Sequence, residues 1–346
     1  MNVFLTGGTG FIGGPLTRAL LSRGWSVTAL ARKPETPEAR ALSRIGARCV
    51  AGDVTDRESM RASMTGADIV VHAAGVYEIG VDAGARARMR TINVTGTDNV
   101  LGLALELRVP RTVYVSSALV LGDTGAQVRD ETFVRQAGYG SFYEATKTEA
   151  HQLALQYVQR GLPLVITCPA SVVGANDHSV WGYLLRLYLN GLMAPFGWTP
   201  DMINSSVHVD DVSAGIALAA EKGRLGESYL LAGDPTTLRE VFGAWMTRPG
   251  GMAIRFYVPQ WLAAALLAPV GPVLRWAGLP AFLSHETVTA SVSLDLSSAK
   301  AARELGWTHR ATREMWPAIV DEEVALLAAR TKRDLVSRLN PVVPAA

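Results

Sequence analysis

The chain has 346 residues, of which 49% are hydrophobic, and a formal net charge of +2 with acids and bases interspersed. That length supports one large α/β domain or two unequal ones, and the near-neutral balance removes the electrostatic case for nucleic-acid binding. Two cysteines, Cys49 and Cys168, make no disulfide framework and suit a reducing, cytoplasmic setting.

Residues 2–6 (NVFLT) read as a short apolar strand, too short for the apolar region of a signal peptide. Gly7-Gly8-Thr9-Gly10-Phe11-Ile12-Gly13 follows, and then the helical pattern of Leu16, Leu20 and Leu21 up to Gly24. In a strand–turn–helix unit, Gly7, Gly10 and Gly13 permit a tight turn. They also let backbone N–H groups reach a pyrophosphate and let the helix pack against its strand. Thr9, Phe11 and Ile12 belong to the same candidate cofactor loop. The second strand, WSVTALAR, ends at Ala31-Arg32-Lys33. A chain that prefers NAD places Asp or Glu here for the ribose 2′-hydroxyl. Arg32 offers a bidentate contact to a 2′-phosphate instead, so NADP(H) is expected, with NAD(H) possible. The other reading of Arg32 is a solvated basic turn before Pro34.

Strands VVHAAG (70–75) and TVYVSS (112–117) end in small or hydroxyl residues, at the carboxyl ends where open parallel sheets bind ligands. A long helix is predicted from about 85 to 108, with Asn93 in its middle. The run SFYEATKTEAH (141–151) opens another helix, 142–160, with Ser141 and Glu144 at capping-box spacing. Tyr143 and Lys147 are one turn apart on the same face. A phenol has a reference pKa of about 10, and an adjacent ammonium favours its anion.

Residues 6–13 match TGxxGxxG and so resemble the short-chain dehydrogenase/reductase superfamily, in its extended branch. The resemblance runs the length of the chain and implies a Rossmann-type doubly wound parallel sheet with a smaller C-terminal substrate region. It also implies a nicotinamide cofactor and catalysis by Ser117, Tyr143 and Lys147. Ser116 is the second candidate serine, placed on the opposite face by strand phase. Ala73, Ala74 and Gly75 resemble a segment that lies along the cofactor. Asp53, followed by Val54, resembles an adenine-contacting Asp, and equally suits a turn or helix cap. Residues 169–174, with Pro169 and Val172, match a loop that covers the nicotinamide. In SVHVDDVSAG (206–215), Asp210 and Asp211 are read as caps and structural contacts, and His208 as structural. No metal site is expected.

Two departures bear on the substrate. Sugar-nucleotide enzymes of this branch carry Asn where Ser171 stands, and often a cation near 203–206, where this chain has Ile-Asn-Ser-Ser. A diphosphate without those partners is costly to bury. Residues 180–202 are instead rich in large apolar groups, including Trp181 and Tyr183. Tyr77, Ser117, Ser171, Trp181 and Tyr183 are the candidate substrate contacts. The expected activity is therefore NADP-dependent interconversion of a carbonyl and an alcohol on an apolar or aromatic molecule. Against it, VHVDDV, GRLGESYLLAG and LSSAKAARELGW are similar to bacterial hopanoid-associated sugar epimerases, so a nucleotide-sugar epimerase or dehydratase with tightly bound NAD(P) is the alternative. A non-catalytic NADP sensor is a third reading, opposed by the Tyr143–Lys147 pair.

The cofactor domain is expected at 1–174 plus about 205–235, the substrate region at 175–204 plus 236–330, and a disordered tail at 339–346. The resemblance allows a homodimer through helices 85–108 and 142–160. The apolar stretch 261–283 is broken by Pro269, Pro272, Arg275 and Pro280, so it is no membrane span; it is read first as a pair of buried helices, with a surface that touches lipid or a greasy substrate as the alternative.

Overall fold

The apolar strands β1 (Asn2–Thr6), β2 (Ser26–Ala31), β3 (Arg48–Ala51), β4 (Ile69–His72), β5 (Arg111–Val115), β6 (Leu164–Pro169) and β7 (Ser228–Leu231) form one sheet. Its order in this computed structural model is β7-β6-β5-β4-β1-β2-β3, and every pairing is parallel. The structure describes all residues except 126, 137, 249–253, 278–281, 283, 331–337 and 340–346.

Period-two alternation sorts the strand side chains between two cores. Val3, Leu5, Ile69, Val71 and Val113 face one side. There they meet Leu16 and Leu20 of α1 (Gly13–Leu21), Leu42 of α2 (Pro37–Arg44) and Ile216 of α8 (Val209–Lys222). Phe4, Val70 and Tyr114 face the other side. That layer holds Met60 and Met64 of α3 (Arg57–Met64), Val100 of α5 (Gly96–Glu106) and Ala150 and Ala154 of α6 (Phe142–Gln159). Helix starts follow their caps: Thr36, Asp56 and Ser141 each accept a first-turn backbone N–H.

The helix expected at 85–108 is in fact two, α4 (Ala83–Arg90) and α5, joined by a π turn at Thr91–Thr95. Within that turn Asn93 is buried. Its side chain accepts from Val76 N at 2.8 Å and donates to Val76 O and Thr146 Oγ1, both at 3.0 Å. A single side chain so bonded to a neighbouring segment is a sufficient reason for the ladder to widen locally.

Three further helices pack a third core around Trp245 and Trp316. It is built from α7 (Val180–Leu189), α9 (Leu238–Trp245) and α14 (Thr312–Ala328). Buried Arg186 ties it together. It pairs with Glu323 at 3.4 Å and donates to Asp177 O at 2.8 Å and to Leu339 O at 2.7 Å. Leu339, placed in the expected tail, is therefore buried, and residues 340–346 lie outside the described residues.

The reading of 261–283 as two buried helices is corrected. α10 (Gln260–Leu267) and α11 (Val270–Trp276) lie at the surface. Ala263, Ala264 and Leu267 pack on Val288 of α12 (His285–Thr289). Trp261 and Trp276 are 72% and 89% exposed. Proline at 259, 269 and 272 keeps both helices short, so only a narrow stripe reaches the core. Residues 278–281 and 283 of that stretch are outside the described residues. No helix among the described residues is long and apolar enough to cross a membrane. A last short helix, α13 (Ala299–Leu305), adds Ala301 and Leu305 to the α1–α8 layer.

Candidate active site

The turn from β1 into α1 is shaped by what glycine lacks. Gly7 has φ +77°, and a Cβ there would stand 2.5 Å from the backbone of Ala73 and Ala74. A Cβ on Gly13 would stand 2.1 Å from Gly7 O. The turn closes through Gly10 N to Gly7 O and Gly13 N to Gly10 O, both 3.0 Å. No side chain caps α1, and its first turn holds no acid. The amides of Phe11 and Ile12 take no protein acceptor among the described residues. Two uncommitted N–H groups at a helix start favour an anion, so these residues fit a dinucleotide diphosphate. Behind the turn, Thr6 Oγ1 bonds His72 Nδ1 at 2.7 Å and knits β1 to β4.

One groove of about 580 Å³ runs across the carboxyl ends of the strands. Gly7, Thr9, Gly10, Phe11, Ile12 and Gly13 line its centre. The sheet order puts the ends of β2 and β3 to one side, and Arg32, Asp53 and Val54 line the groove there. Ala73, Ala74 and Gly75 follow β4. Beyond β5 and β6 stand Ser117, Tyr143, Lys147, Tyr77, Ser171, Val172 and Trp181. Asp53 makes a turn as well, its carboxylate accepting from Thr55 N at 2.9 Å, while the cap of α3 is Asp56.

Two expected contacts are not in the groove. Pro169 is the buried last residue of β6. Tyr183 sits in the helical core against Phe282, with ring centroids 5.5 Å apart. Trp181 faces the groove, and two helical residues later the direction has turned by about 200°. Sequence reasoning missed Asp177, His178 and Ser179, which line the groove. Asp177 accepts from Ser179 N, Ser179 Oγ and Gly182 N at 2.6–3.0 Å, and burial pushes its carboxyl up to about 6. The Asp-x-Ser spacing just before the apolar run was the available signal.

Lys147 is buried and donates to Val115 O at 3.0 Å and Tyr114 OH at 3.3 Å. Burial pushes it down to about 8. Burial pushes the Tyr143 phenol up to about 12, opposed by a hydrogen bond with Ser117. The hydrogen bonds of Lys147 go to β5, and desolvation is the largest influence on Tyr143. A raised pKa keeps the phenol protonated. Ser117 Oγ accepts from Leu119 N at 3.2 Å. Ser116 also lines the groove, but its hydroxyl bonds His151 Nδ1 at 2.9 Å. His208, and neither Asp210 nor Asp211, caps α8, while Asp211 holds Arg310 at 3.0 Å. Both cysteines are free. Among the described residues, no cluster could hold a metal ion.

A smaller pocket of about 110 Å³ shares Tyr77, Leu119, Ser171, Trp181 and Leu294 with the groove. Trp198, Met202, Leu238 and Phe242 wall it, with Asn204 and Glu144 among its polar groups. Asn204 Nδ2 donates to Ser171 Oγ at 2.9 Å. Glu144 is held by Gly140 N at 2.8 Å and by Arg135.

Three comparisons agree with this geometry. The chain is 33% identical over 323 residues to the 4-hydroxy-2-methyl-3-oxo-4-farnesyl-3,4-dihydroquinoline-1-oxide ketoreductase of Stigmatella aurantiaca, covering 91% of this chain and 94% of that one. It is 30% identical to sterol demethylase protein B of Methylococcus capsulatus, covering 90% and 95%. The solved structure of gox2253 superposes with a TM-score of 0.78 at 28% identity, covering 95% of this chain and 99% of that one. The family model described as "NAD dependent epimerase/dehydratase family" matches residues 3–232, and the chain is a member of that family of nicotinamide-dependent enzymes.

Proposed function

We propose that this enzyme is an NADP(H)-dependent oxidoreductase interconverting a ketone or aldehyde and its alcohol on an apolar or aromatic small molecule. The observation that carries the reading is the pocket beside Tyr143. Its described lining is largely apolar and contains a carboxylate, Glu144, but no Lys or Arg. A nucleotide-sugar diphosphate would meet no counter-ion there. The Stigmatella relative is named for a farnesylated ketone, which supports the same reading. Arg32 supports the cofactor preference: it is exposed, lines the groove, and has no ion pair among the described residues.

Held along the groove by the Gly7–Gly13 turn and Ala73–Gly75, a reduced nicotinamide would supply hydride to the carbonyl carbon. Ser117 and Tyr143 hydrogen-bond the carbonyl oxygen, and Tyr143 gives up its phenolic proton as that oxygen becomes the alcohol. Lys147, held by Val115 O and Tyr114 OH, supplies positive charge beside the resulting phenolate. Tyr77 and Trp181 exclude water from the reacting carbon. Residues 1–174 with about 205–235 would hold the cofactor, and the other helices the substrate.

The test is NADPH consumption against aromatic ketones, aldehydes, steroid ketones and nucleotide sugars, with Tyr143→Phe in parallel. Turnover of apolar ketones that falls by about 10²–10⁴-fold in Tyr143→Phe is expected. Activity confined to nucleotide sugars would sink the proposal.

A further inference from the structure

Every exposed, described side chain between positions 261 and 277 is apolar. Trp261 and Leu266 project from α10 at 72% and 50% exposure, and Val273 and Trp276 from α11 at 60% and 89%. α10 is therefore apolar on both faces: Ala263, Ala264 and Leu267 serve the core, and the opposite stripe serves nothing within the described chain. A helix without a polar face is built for two apolar surroundings, and contiguous exposed patches of this kind mark an interaction surface.

The charges around the patch say which surface. Residues 241–285 contain three arginines, Arg248, Arg255 and Arg275, and no Asp or Glu; Arg248 is paired with Asp321 at 2.6 Å. Arg255, just before the patch, is exposed. A contact between two copies would offer the exposed Arg255 no acidic partner from this segment. An anionic bilayer accepts both features, with tryptophans at the headgroup level and Arg255 toward the lipid phosphates.

The patch also backs onto the substrate pocket. Trp198 packs against the buried side of α10 and lines the pocket. Its indole donates to Ser291 Oγ at 3.0 Å, and Gln260 of α10 donates to Val288 O at 2.8 Å. We propose that α10 and α11 seat the enzyme on an anionic lipid bilayer, so that an apolar substrate passes from membrane to pocket. The delivery part rests on the apolar-substrate reading; the docking part stands without it.

Flotation with phosphatidylcholine vesicles, with and without phosphatidylglycerol, tests the docking. The wild-type chain should float, more so on the anionic vesicles, and Trp261→Ser/Trp276→Ser should bind at least about tenfold more weakly. That variant should keep its melting temperature and its turnover of a water-soluble aromatic ketone, but lose turnover of a ketone dissolved in the vesicles. If the pair misfolds, Trp276→Ser alone serves, since that side chain is 89% exposed. The docking is overturned if the wild-type chain stays at the bottom of the gradient or if a folded variant floats equally. It is also overturned if light scattering shows a dimer that the substitutions dissolve. Absence of ketone turnover with flotation intact would count against the function alone.

Discussion

The ring of Tyr77 meets the ring of Tyr143 edge-on, with centroids 4.7 Å apart and planes at 87°. Tyr77 also stacks on Phe282 at 6.2 Å, so the proposed proton donor is braced by an aromatic chain from the substrate region. Such a contact contributes about 0.5–1.5 kcal/mol beyond its buried area. Tyr77→Ala should lower kcat about 3–10-fold, and Tyr77→Phe should retain it. Steady-state rates on an apolar ketone decide; an unaltered kcat in Tyr77→Ala would show that the brace does not position Tyr143.

Arg32 should set the cofactor preference. Hydrogen bonds to a charged group contribute about 1.5–3 kcal/mol. Arg32→Ala should therefore raise the KM for NADPH by about 10–100-fold and leave that for NADH unchanged. Paired titrations with both cofactors check this, and an undisturbed ratio would refute it.

Gly13 and Gly14 are neighbours with opposite tolerance. A Cβ on Gly13 collides with Gly7 O and Gly8 O at 2.1 and 2.3 Å, whereas one on Gly14 meets nothing within 4 Å. Gly13→Ala should abolish cofactor binding and lower the melting temperature. Gly14→Ala lies within α1 and should be neutral or stabilising by up to about 1 kcal/mol. Calorimetry and NADPH titration of the two variants separate the outcomes.

Acid should destabilise the chain through two buried histidines. Burial, with Lys147 adding to it, pushes His72 down to about 3 and His151 down to about 4. The unfolded rings titrate near 6.5. Below about 6.5 the unfolded chain takes up protons that the folded chain does not, so stability falls as pH falls. The loss runs on to about 4 for His151 and about 3 for His72, and together it amounts to several kcal/mol, in order of magnitude. His151→Asn should flatten the melting temperature between pH about 7 and about 5; an identical slope would assign the acid sensitivity elsewhere.

Local chemistry was legible in the sequence, and three-dimensional phase was not. The glycine turn and the Tyr143–Lys147 spacing each lie within a few residues, so the sequence alone brought them to the groove. Tyr183 was misread because apolar content does not say where a helix begins its rotation. For residues 261–283 the buried reading was preferred to the surface one for a related reason: composition cannot tell a buried apolar face from an exposed one. The upward push on the Tyr143 phenol was not legible, since desolvation depends on the whole surrounding layer. Asp177 and its neighbours carried a turn signal, but the apolar run after them drew the reading away.

The π turn at Thr91–Thr95 has a consequence for how this fold can change. One extra residue offsets α4 from α5 by about 100° of rotation. Past that offset Asn93 and Thr97, four residues apart, share one face and reach Val76 and His72, the latter at 3.0 Å. Deleting one residue there would restore a regular helix and still break the fold, because α4 would turn by about 100° against α5 and the contacts of both helices could not be kept together. The segment behaves as a keyed coupling between the sheet and the Val76 strap, and its tolerance to length change is set by rotation rather than by helix propensity.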